Sequence, residues 1–137
     1  MNFLSINIKG AGNSDKANWI SRLKKDHGIS LIGIQETMFS SGNRIQFSKF
    51  WGDSNLEVDW VDANGRSGGI ATLWDPCLIF CTDTFKDQNF LMITRNVMGI
   101  DGLVNVINVY APQTSTGKRE PWRAKFRYLN NPREVIG

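Results

Sequence analysis

Residues 3–35 read FLSINIKGAGNSDKANWISRLKKDHGISLIGIQ, and this stretch decides the fold. The apolar run Phe3–Ile8 ends in a glycine-containing turn, which is typical of a buried strand. The segment from about Asp15 to His27 has the apolar spacing of a helix, and a second apolar run covers Ile29–Gln35. A strand, a helix and a second strand joined over this length predict a right-handed parallel pair.

Local sequence signals define both ends of the predicted helix. It should begin near Asp15, with Asn13 or Ser14 as its N-cap, because these side chains accept hydrogen bonds from the first free N–H groups. It should end at His27-Gly28, because glycine adopts the left-handed C-terminal cap without strain. This reading makes His27 a surface residue at a helix end. Three side chains form the predicted apolar stripe: Trp19, Ile20 and Leu23.

The rest of the chain predicts a largely antiparallel sheet. Five further segments have the apolar content of strands: Leu56–Trp60, Gly68–Trp74, Cys77–Thr82, Phe90–Val97 and Leu103–Tyr110. Asn64-Gly65 is a hairpin-turn signal between the first two. Thr37–Ser54 has no clear period and is predicted as loop with a short helix. Lys118–Leu129 is predicted to be helical, and its interleaved basic and aromatic side chains either pack against a core or contact a nucleic acid. The chain is therefore mixed α/β.

Composition sets the class of protein. The 137 residues, 41% of them hydrophobic, suffice for one compact domain. Two cysteines and one histidine exclude a four-ligand zinc site. Cys77 and Cys81 are predicted to be buried, reduced thiols, which fits an intracellular protein, in nucleus or cytoplasm alike. The sequence has neither a signal-peptide pattern nor an apolar run of membrane-spanning length, so no membrane association is expected. A net charge of +3 is compatible with a polyanionic partner but does not require one.

Three polar residues stand where apolar strands end: Asn7, Glu36 and Tyr110. Parallel strands end at the same edge of a sheet, so Asn7 and Glu36 are expected close together, at the edge where open α/β sheets bind ligands. Each residue alone also has a structural explanation. Asn7 and Glu36 fit solvated strand ends, and Tyr110 fits a packed strand residue.

Four motifs occur in a characteristic order: Asn7 at a strand end, Gln35-Glu36-Thr37, Ser67-Gly68-Gly69 and Tyr110-Ala111-Pro112. In this the sequence resembles the endonuclease/exonuclease/phosphatase superfamily. It is most similar to the apurinic-type endonuclease domain that accompanies reverse transcriptase in plant non-LTR retrotransposons (long interspersed elements). The stretch from Phe50 to Gly69 strengthens the retrotransposon assignment. The resemblance covers about residues 1–126 and leaves 127–137 as a divergent C-terminal tail.

The resemblance implies an α/β (α+β) fold, namely the front half of a four-layer, deoxyribonuclease-like sandwich with a mixed sheet. It also implies a Mg²⁺-dependent phosphodiesterase that nicks DNA, with Mn²⁺ as an alternative metal. Glu36 would be the metal ligand, because Mg²⁺ prefers one or two carboxylates with waters and phosphate oxygens. Asn7 and Tyr110 would be catalytic. Asn7 would orient the metal site or the attacking water, and the Tyr110 hydroxyl would donate to a phosphate oxygen.

Two family segments are not found in these 137 residues. Family members continue with a Gly-Asp-Phe-Asn segment, whose Asp and Asn position the water and the phosphate. A later Ser-Asp-His segment supplies the Asp and His of the acid-base pair. The isolated chain is therefore expected to be inactive and to bind metal weakly or not at all. The alternatives are a non-catalytic remnant or binding module, or a fragment of a superfamily phosphatase. A half-domain is also expected to lack the second sheet, and its bare sheet face would favour self-association.

Overall fold

The computed structural model of the chain describes residues 1–10, 14–65, 67–111 and 135–136. Its elements in chain order are β1 (Asn2–Asn7), α1 (Ser14–His27), β2 (Ile29–Gln35), α2 (Arg44–Trp51), β3 (Glu57–Val61), β4 (Ile70–Trp74), β5 (Ile79–Asp87), β6 (Phe90–Val97), β7 (Leu103–Val109) and β8 (Val135–Ile136). The predicted mixed α/β class is confirmed.

The strands form two four-stranded sheets within the described ranges, with orders β1-β2-β4-β3 and β5-β6-β7-β8. In the first sheet β1 and β2 are parallel, with Asn7 opposite Gln35, while β4 runs antiparallel to β2 and β3. The predicted parallel pair is therefore confirmed. The second sheet is antiparallel except for the short pairing of β8 with β7.

In the described residues, two apolar cores separate three layers: the helices, the first sheet and the second sheet. Between the helices and the first sheet lie Ile8, Ala17, Ile20, Ile32, Ile34, Phe47, Phe50, Trp51, Leu56, Ala71 and Leu73. Between the two sheets lie Leu31, Ile70, Trp74, Ile79, Leu91, Ile93, Val97, Val104 and Val106. Strands β2 and β4 contribute to both cores, since alternate side chains point to opposite faces of a sheet. This explains why their sequences are almost continuously apolar.

The expectation of a missing second sheet is wrong. Strands β5–β7 lie within the first 111 residues and cover the inner face of the first sheet. Exposed apolar side chains instead lie on the outer face of the second sheet, where Phe80, Phe85 and Leu103 are 50%, 57% and 49% exposed. Phe85 also stacks on Phe90 at 5.6 Å between ring centroids. Self-association through a sheet face stays a prediction, and this is the face that offers apolar area for it.

Three side chains differ from their predicted burial. Trp19 is 51% exposed, because α1 packs through Ala17 and Ile20 and residue 19 lies about 100° from residue 20 around the helix axis. Cys77 and Cys81 are free, as expected, but exposed. Cys77 lies in a turn that starts at Asp75 and delays β5 until Ile79, and Cys81 lies on β5, at the edge of its sheet.

The Thr37–Ser54 segment, predicted as loop with a short helix, contains α2. This helix begins with a capping box. The Asn43 side chain accepts a hydrogen bond from Gln46 N at 2.9 Å, and Gln46 Oε1 accepts one from Asn43 N at 3.0 Å. Neither helix in the described part of the chain has the length and apolar character needed to span a bilayer. The predicted N-cap Asn13, the predicted helix Lys118–Leu129 and the domain boundary after residue 126 lie outside the described residues.

Candidate active site

The three predicted site residues lie at corresponding ends of their strands. Asn7 is the last residue of β1, Glu36 follows β2 directly, and Tyr110 follows β7. Because β1 and β2 are parallel and in register at Asn7 and Gln35, their ends form one edge of the first sheet. The second sheet brings Tyr110 to this edge through the turn at Asn89, whose carbonyl accepts a hydrogen bond from Tyr110 N at 2.8 Å.

The backbone at Glu36 is in the left-handed region, with φ of 55°. This conformation is uncommon for a residue other than glycine and persists only where surrounding contacts enforce it, often at functional sites. Here Glu36 O accepts from Gly10 N at 2.7 Å, and Gln35 O accepts from Ile8 N at 3.1 Å. These bonds join the β2 end to the turn after β1 and turn the chain sharply where the carboxylate is presented.

The glycine pair Gly68-Gly69 is hydrogen-bonded to the residues that follow Glu36 in this turn. Thr37 N donates to Gly69 O at 3.1 Å and Met38 N donates to Gly68 O at 3.0 Å. A Cβ at Gly69 would overlap Thr37 Oγ1 and lie 3.1 Å from Met38 N. The Ser-Gly-Gly motif therefore has a structural reason, because only glycine lets the two chain segments approach this closely.

Tyr110 lies beside Gly68, the first glycine of this pair, and its pKa responds to the charge of Glu36. Its ring lies 3.5 Å from the position that a Cβ on Gly68 would occupy. Burial of the half-buried phenol raises its pKa, and the nearby Glu36 carboxylate raises that pKa further. Glu36 and Tyr110, which are far apart in the sequence, thus follow strands that end at the same edge and interact electrostatically. At neutral pH the Tyr110 hydroxyl keeps its proton and is a hydrogen-bond donor.

A titration tests this proximity. In a Tyr128→Phe background, which leaves Tyr110 as the sole tyrosine, the phenol is expected to titrate above its ordinary value of about 10. Glu36→Gln removes the negative charge and should lower that pKa, measured by ultraviolet absorbance in chelator-containing buffer. Glu57→Gln is the matched control, since Glu57 starts β3 at the opposite edge. An equal response to both substitutions would contradict the arrangement.

A cavity of about 230 Å³ opens beside Tyr110. Polar side chains from two turns line it, including Asn64 and Ser67 from the turn after β3 and Gln88 and Asn89 from the turn between β5 and β6. Their amide and hydroxyl groups both donate and accept hydrogen bonds. The site edge thus offers a polar recess next to the phenol.

Asn7 closes the β1 end of the site. Its Oδ1 accepts from Lys9 N at 3.0 Å, which fixes the side chain in a local turn. Lys16 Nζ from α1 holds this turn by donating to Ile8 O at 2.7 Å and Gly10 O at 2.8 Å. The Asn7 side chain is thus hydrogen-bonded within the turn after β1, at a position paired with Gln35 on β2.

The donor set fits a hard cation only in part. Among the described residues, three or more His, Cys, Asp or Glu side chains do not cluster in a way that could hold a metal ion. One carboxylate, Glu36, with the Asn7 amide suits Mg²⁺, which retains waters and takes further oxygens from a phosphate substrate. His27 is remote from this edge. Its carbonyl accepts from Asn2 Nδ2 at 2.7 Å, and Asn2 begins the strand that Asn7 ends.

Sequence reasoning missed two buried amides behind the site, Gln35 and Asn108. Gln35 Nε2 donates to Asn108 Oδ1 at 2.8 Å across the two sheets. The available signal was a polar residue on the inward-facing register of β7, whose other inward positions, Val104 and Val106, are apolar and buried. A buried amide is retained only where its hydrogen bonds are satisfied.

The fold is shared with solved nucleases and phosphatases. No protein-family model and no curated protein matches the chain by sequence. The AP endonuclease LMAP from Leishmania major matches with a TM-score of 0.62 and 12% identity, over 93% of this chain and 44% of that one. The endonuclease domain of TRAS1, a telomere-specific non-LTR retrotransposon, matches with a TM-score of 0.54 and 11% identity, over 95% and 55%.

A third match is the 3′ phosphatase NExo from Neisseria, solved with a product DNA hairpin. Its TM-score is 0.57 at 15% identity, over 89% of this chain and 47% of that one. The chain thus spans about half the length of the structures it matches. At these identities the likeness establishes the architecture, and residue roles depend on the local geometry.

Proposed function

We propose that this chain, whose fold is that of the endonuclease/exonuclease/phosphatase superfamily, is the front part of a Mg²⁺-dependent endonuclease domain of a retrotransposon-derived gene. One observation supports the proposal: Glu36 and Tyr110 follow strands that end at the same edge, the Glu36 charge raises the pKa of Tyr110, and the backbone at Glu36 is in the left-handed region. The order of the sequence motifs and the shared fold with the TRAS1 endonuclease domain support the retrotransposon origin.

Each residue has a proposed role in cleaving a DNA phosphodiester. Glu36 would hold Mg²⁺, or Mn²⁺, together with water and a phosphate oxygen; the bound ion polarises the phosphate and stabilises developing charge. The Tyr110 hydroxyl donates to a phosphate oxygen, and its raised pKa keeps the donor proton in place. Asn7, fixed beside the Glu36 turn, orients the attacking water.

A non-catalytic binding module is the second candidate, and the position of His27 favours it. The only histidine of these 137 residues lies at the far edge of the first sheet, where it cannot exchange a proton with a phosphate held at Glu36. Loss of positioned acid-base groups typically costs about 100-fold to 10,000-fold in rate. We therefore propose that the 137-residue polypeptide alone binds metal at Glu36 at most weakly and does not turn over substrate.

Metal binding and nicking are best tested together. Paramagnetic Mn²⁺ should broaden the NMR signals of Asn7 and Tyr110, Glu36→Gln should abolish the broadening, and Glu57→Gln should leave it intact. Glu57 is the matched control because it is an exposed carboxylate, paired with Arg44 at 3.5 Å, at the opposite edge. With Mg²⁺ the polypeptide should nick plasmid or abasic DNA no faster than Glu36→Ala.

The outcomes separate the candidates. Broadening that persists in Glu36→Gln would contradict the proposed role of Glu36 as a metal ligand. It would also contradict the proposed endonuclease ancestry of the site. Robust nicking that depends on Glu36 would contradict the expected inactivity. It would mean that residues of this chain act as the general acid and base. Hydrolysis of a small phosphate ester without DNA cleavage would favour the alternative that the chain is a fragment of a superfamily phosphatase.

A further inference from the structure

An amide pair joins the two sheets immediately behind the site. Asn108, on β7, is 0% exposed, and Gln35, on β2, is 5% exposed. Their side chains bond directly, with Gln35 Nε2 donating to Asn108 Oδ1 at 2.8 Å. The two residues are 73 positions apart in sequence and belong to different sheets.

The pair is satisfied from three strands of the first sheet. Asn108 Nδ2 donates to Ala71 O at 2.8 Å and Thr72 Oγ1 at 3.2 Å on β4, and to Ile34 O at 3.3 Å on β2. Gln35 Nε2 also donates to Ser5 Oγ at 3.3 Å on β1. One side chain of the second sheet is thus bonded to β2 and β4, and through Gln35 to β1.

Three side chains of this network lie within two positions of a site residue. Gln35 immediately precedes Glu36, Asn108 lies two residues before Tyr110, and Ser5 lies two residues before Asn7. A displacement of the network therefore moves the three strand ends that carry the site. The amide pair is separate from the site itself, because Gln35 and Asn108 are buried where the two sheets meet.

Burial of amides here is not explained by stability alone. Apolar side chains pack sheets together without directional preference, and replacing both partners of a buried polar pair by apolar groups of the same shape is often close to neutral. Hydrogen bonds have a required length and angle, so a satisfied buried pair selects one placement of one sheet over the other. The gain is therefore in the position of the second sheet.

We propose that the Gln35–Asn108 amide pair is a positioning element that sets where Tyr110 stands relative to the Glu36 turn. Its relevance to phosphodiester cleavage rests on the proposed function, whereas the geometry it controls does not. Without the pair, the sheets remain packed through their apolar core, but Tyr110 loses its fixed approach to Gly68 and Glu36.

The contact between Tyr110 and Gly68 gives a direct readout, since it spans the two sheets. In the wild-type chain a nuclear Overhauser effect should link the Tyr110 ring to the Gly68 Hα protons. Gln35→Met, which keeps side-chain length, and Asn108→Ser should weaken this signal at least about twofold in the folded state. Asn105→Ser is the matched control: Asn105 is also on β7 and accepts from Thr94 Oγ1 at 2.7 Å, but on the outer face.

Each of the following outcomes either supports or overturns the proposal. Loss of the signal in Gln35→Met with retention in Asn105→Ser supports the proposal, even if Asn108→Ser does not fold. An unchanged signal in folded Gln35→Met overturns it, as does unfolding of both inter-sheet variants, which would assign the pair to stability. The measurement uses neither metal nor DNA, so it stands or fails independently of the Mn²⁺ and nicking results.

Discussion

Gly69→Ala is expected to lower the free energy of unfolding by about 2–5 kcal/mol, a large share of the net stability of a small domain. A Cβ in the left-handed backbone region, where Gly69 has φ of 88°, costs about 1–2 kcal/mol. Overlap with Thr37 Oγ1 adds a packing cost of about 1–3 kcal/mol, because Thr37 is only 2% exposed and cannot swing away. Urea denaturation followed by circular dichroism measures the change.

Two further variants separate strain from overlap. Gly65→Ala has φ of 70° and no atom within 4 Å of the added Cβ, so it should show the backbone cost alone. Thr37→Ala removes the overlapping oxygen and should return part of the stability lost in Gly69→Ala, giving a favourable coupling in a double-mutant cycle. Equal losses for Gly65→Ala and Gly69→Ala would show that the close approach to Thr37 does not exist.

Arg95→Met is expected to raise the free energy of unfolding by about 1–3 kcal/mol, an unusual direction for a core substitution. Arg95 is 0% exposed. Its Nη2 donates to Ile93 O at 3.1 Å, whereas its Nε and Nη1 have no hydrogen-bond partner in the described part of the chain. A buried, incompletely paired guanidinium loses more hydration than it regains, and methionine fills similar space without that penalty.

The pH dependence follows from the same burial. Burial lowers the pKa of Arg95 from its ordinary value to about 10, and Cys81 partly opposes the change. Between about pH 10 and the ordinary pKa of arginine, the unfolded chain therefore binds more protons than the folded one, so this penalty is fully present below about pH 10 and declines as pH rises. The gain from Arg95→Met should thus be constant from pH 6 to 9.

Arg44→Met is the control for the loss of an arginine as such. Arg44 is half exposed, pairs with Glu57 at 3.5 Å and donates from Nη2 to Leu56 O, so its replacement should lower the free energy of unfolding by about 1–2 kcal/mol. A clear destabilisation by Arg95→Met would mean that an ordered water or an ion satisfies the guanidinium in the folded protein. Chemical denaturation at pH 7 distinguishes these results.

The fold was predictable where local and periodic signals agree. The apolar runs Phe3–Ile8 and Ile29–Gln35 around an amphipathic helix predict a parallel pair, and β6 matches its predicted range of Phe90–Val97. The placement of the second sheet over the first was not predictable, because alternating apolar strands show that a face is covered but not by which element. Trp19 shows the same limit on a helix, where periodicity leaves the edge of the buried face undefined.

The site was predictable at its strand ends and not behind them. Asn7, Glu36 and Tyr110 follow apolar runs, and topology alone brings the first two together. The left-handed backbone at Glu36 depends on hydrogen bonds from distant residues, and the role of Gly69 depends on its contact with Thr37. Such tertiary contacts leave no periodic trace in a sequence.

The long span of the inter-sheet hydrogen bonds also has a consequence for synthesis on the ribosome. Strands β1–β4 are complete by Trp74, whereas Asn108, which bonds to β2 and β4, is made later. At about 5–20 residues per second, seconds pass before the second sheet has been synthesised and can cover the inner face of the first sheet. The nascent chain therefore passes through a stage with an apolar sheet face open to chaperones, and slowing translation after β4 would lengthen that stage.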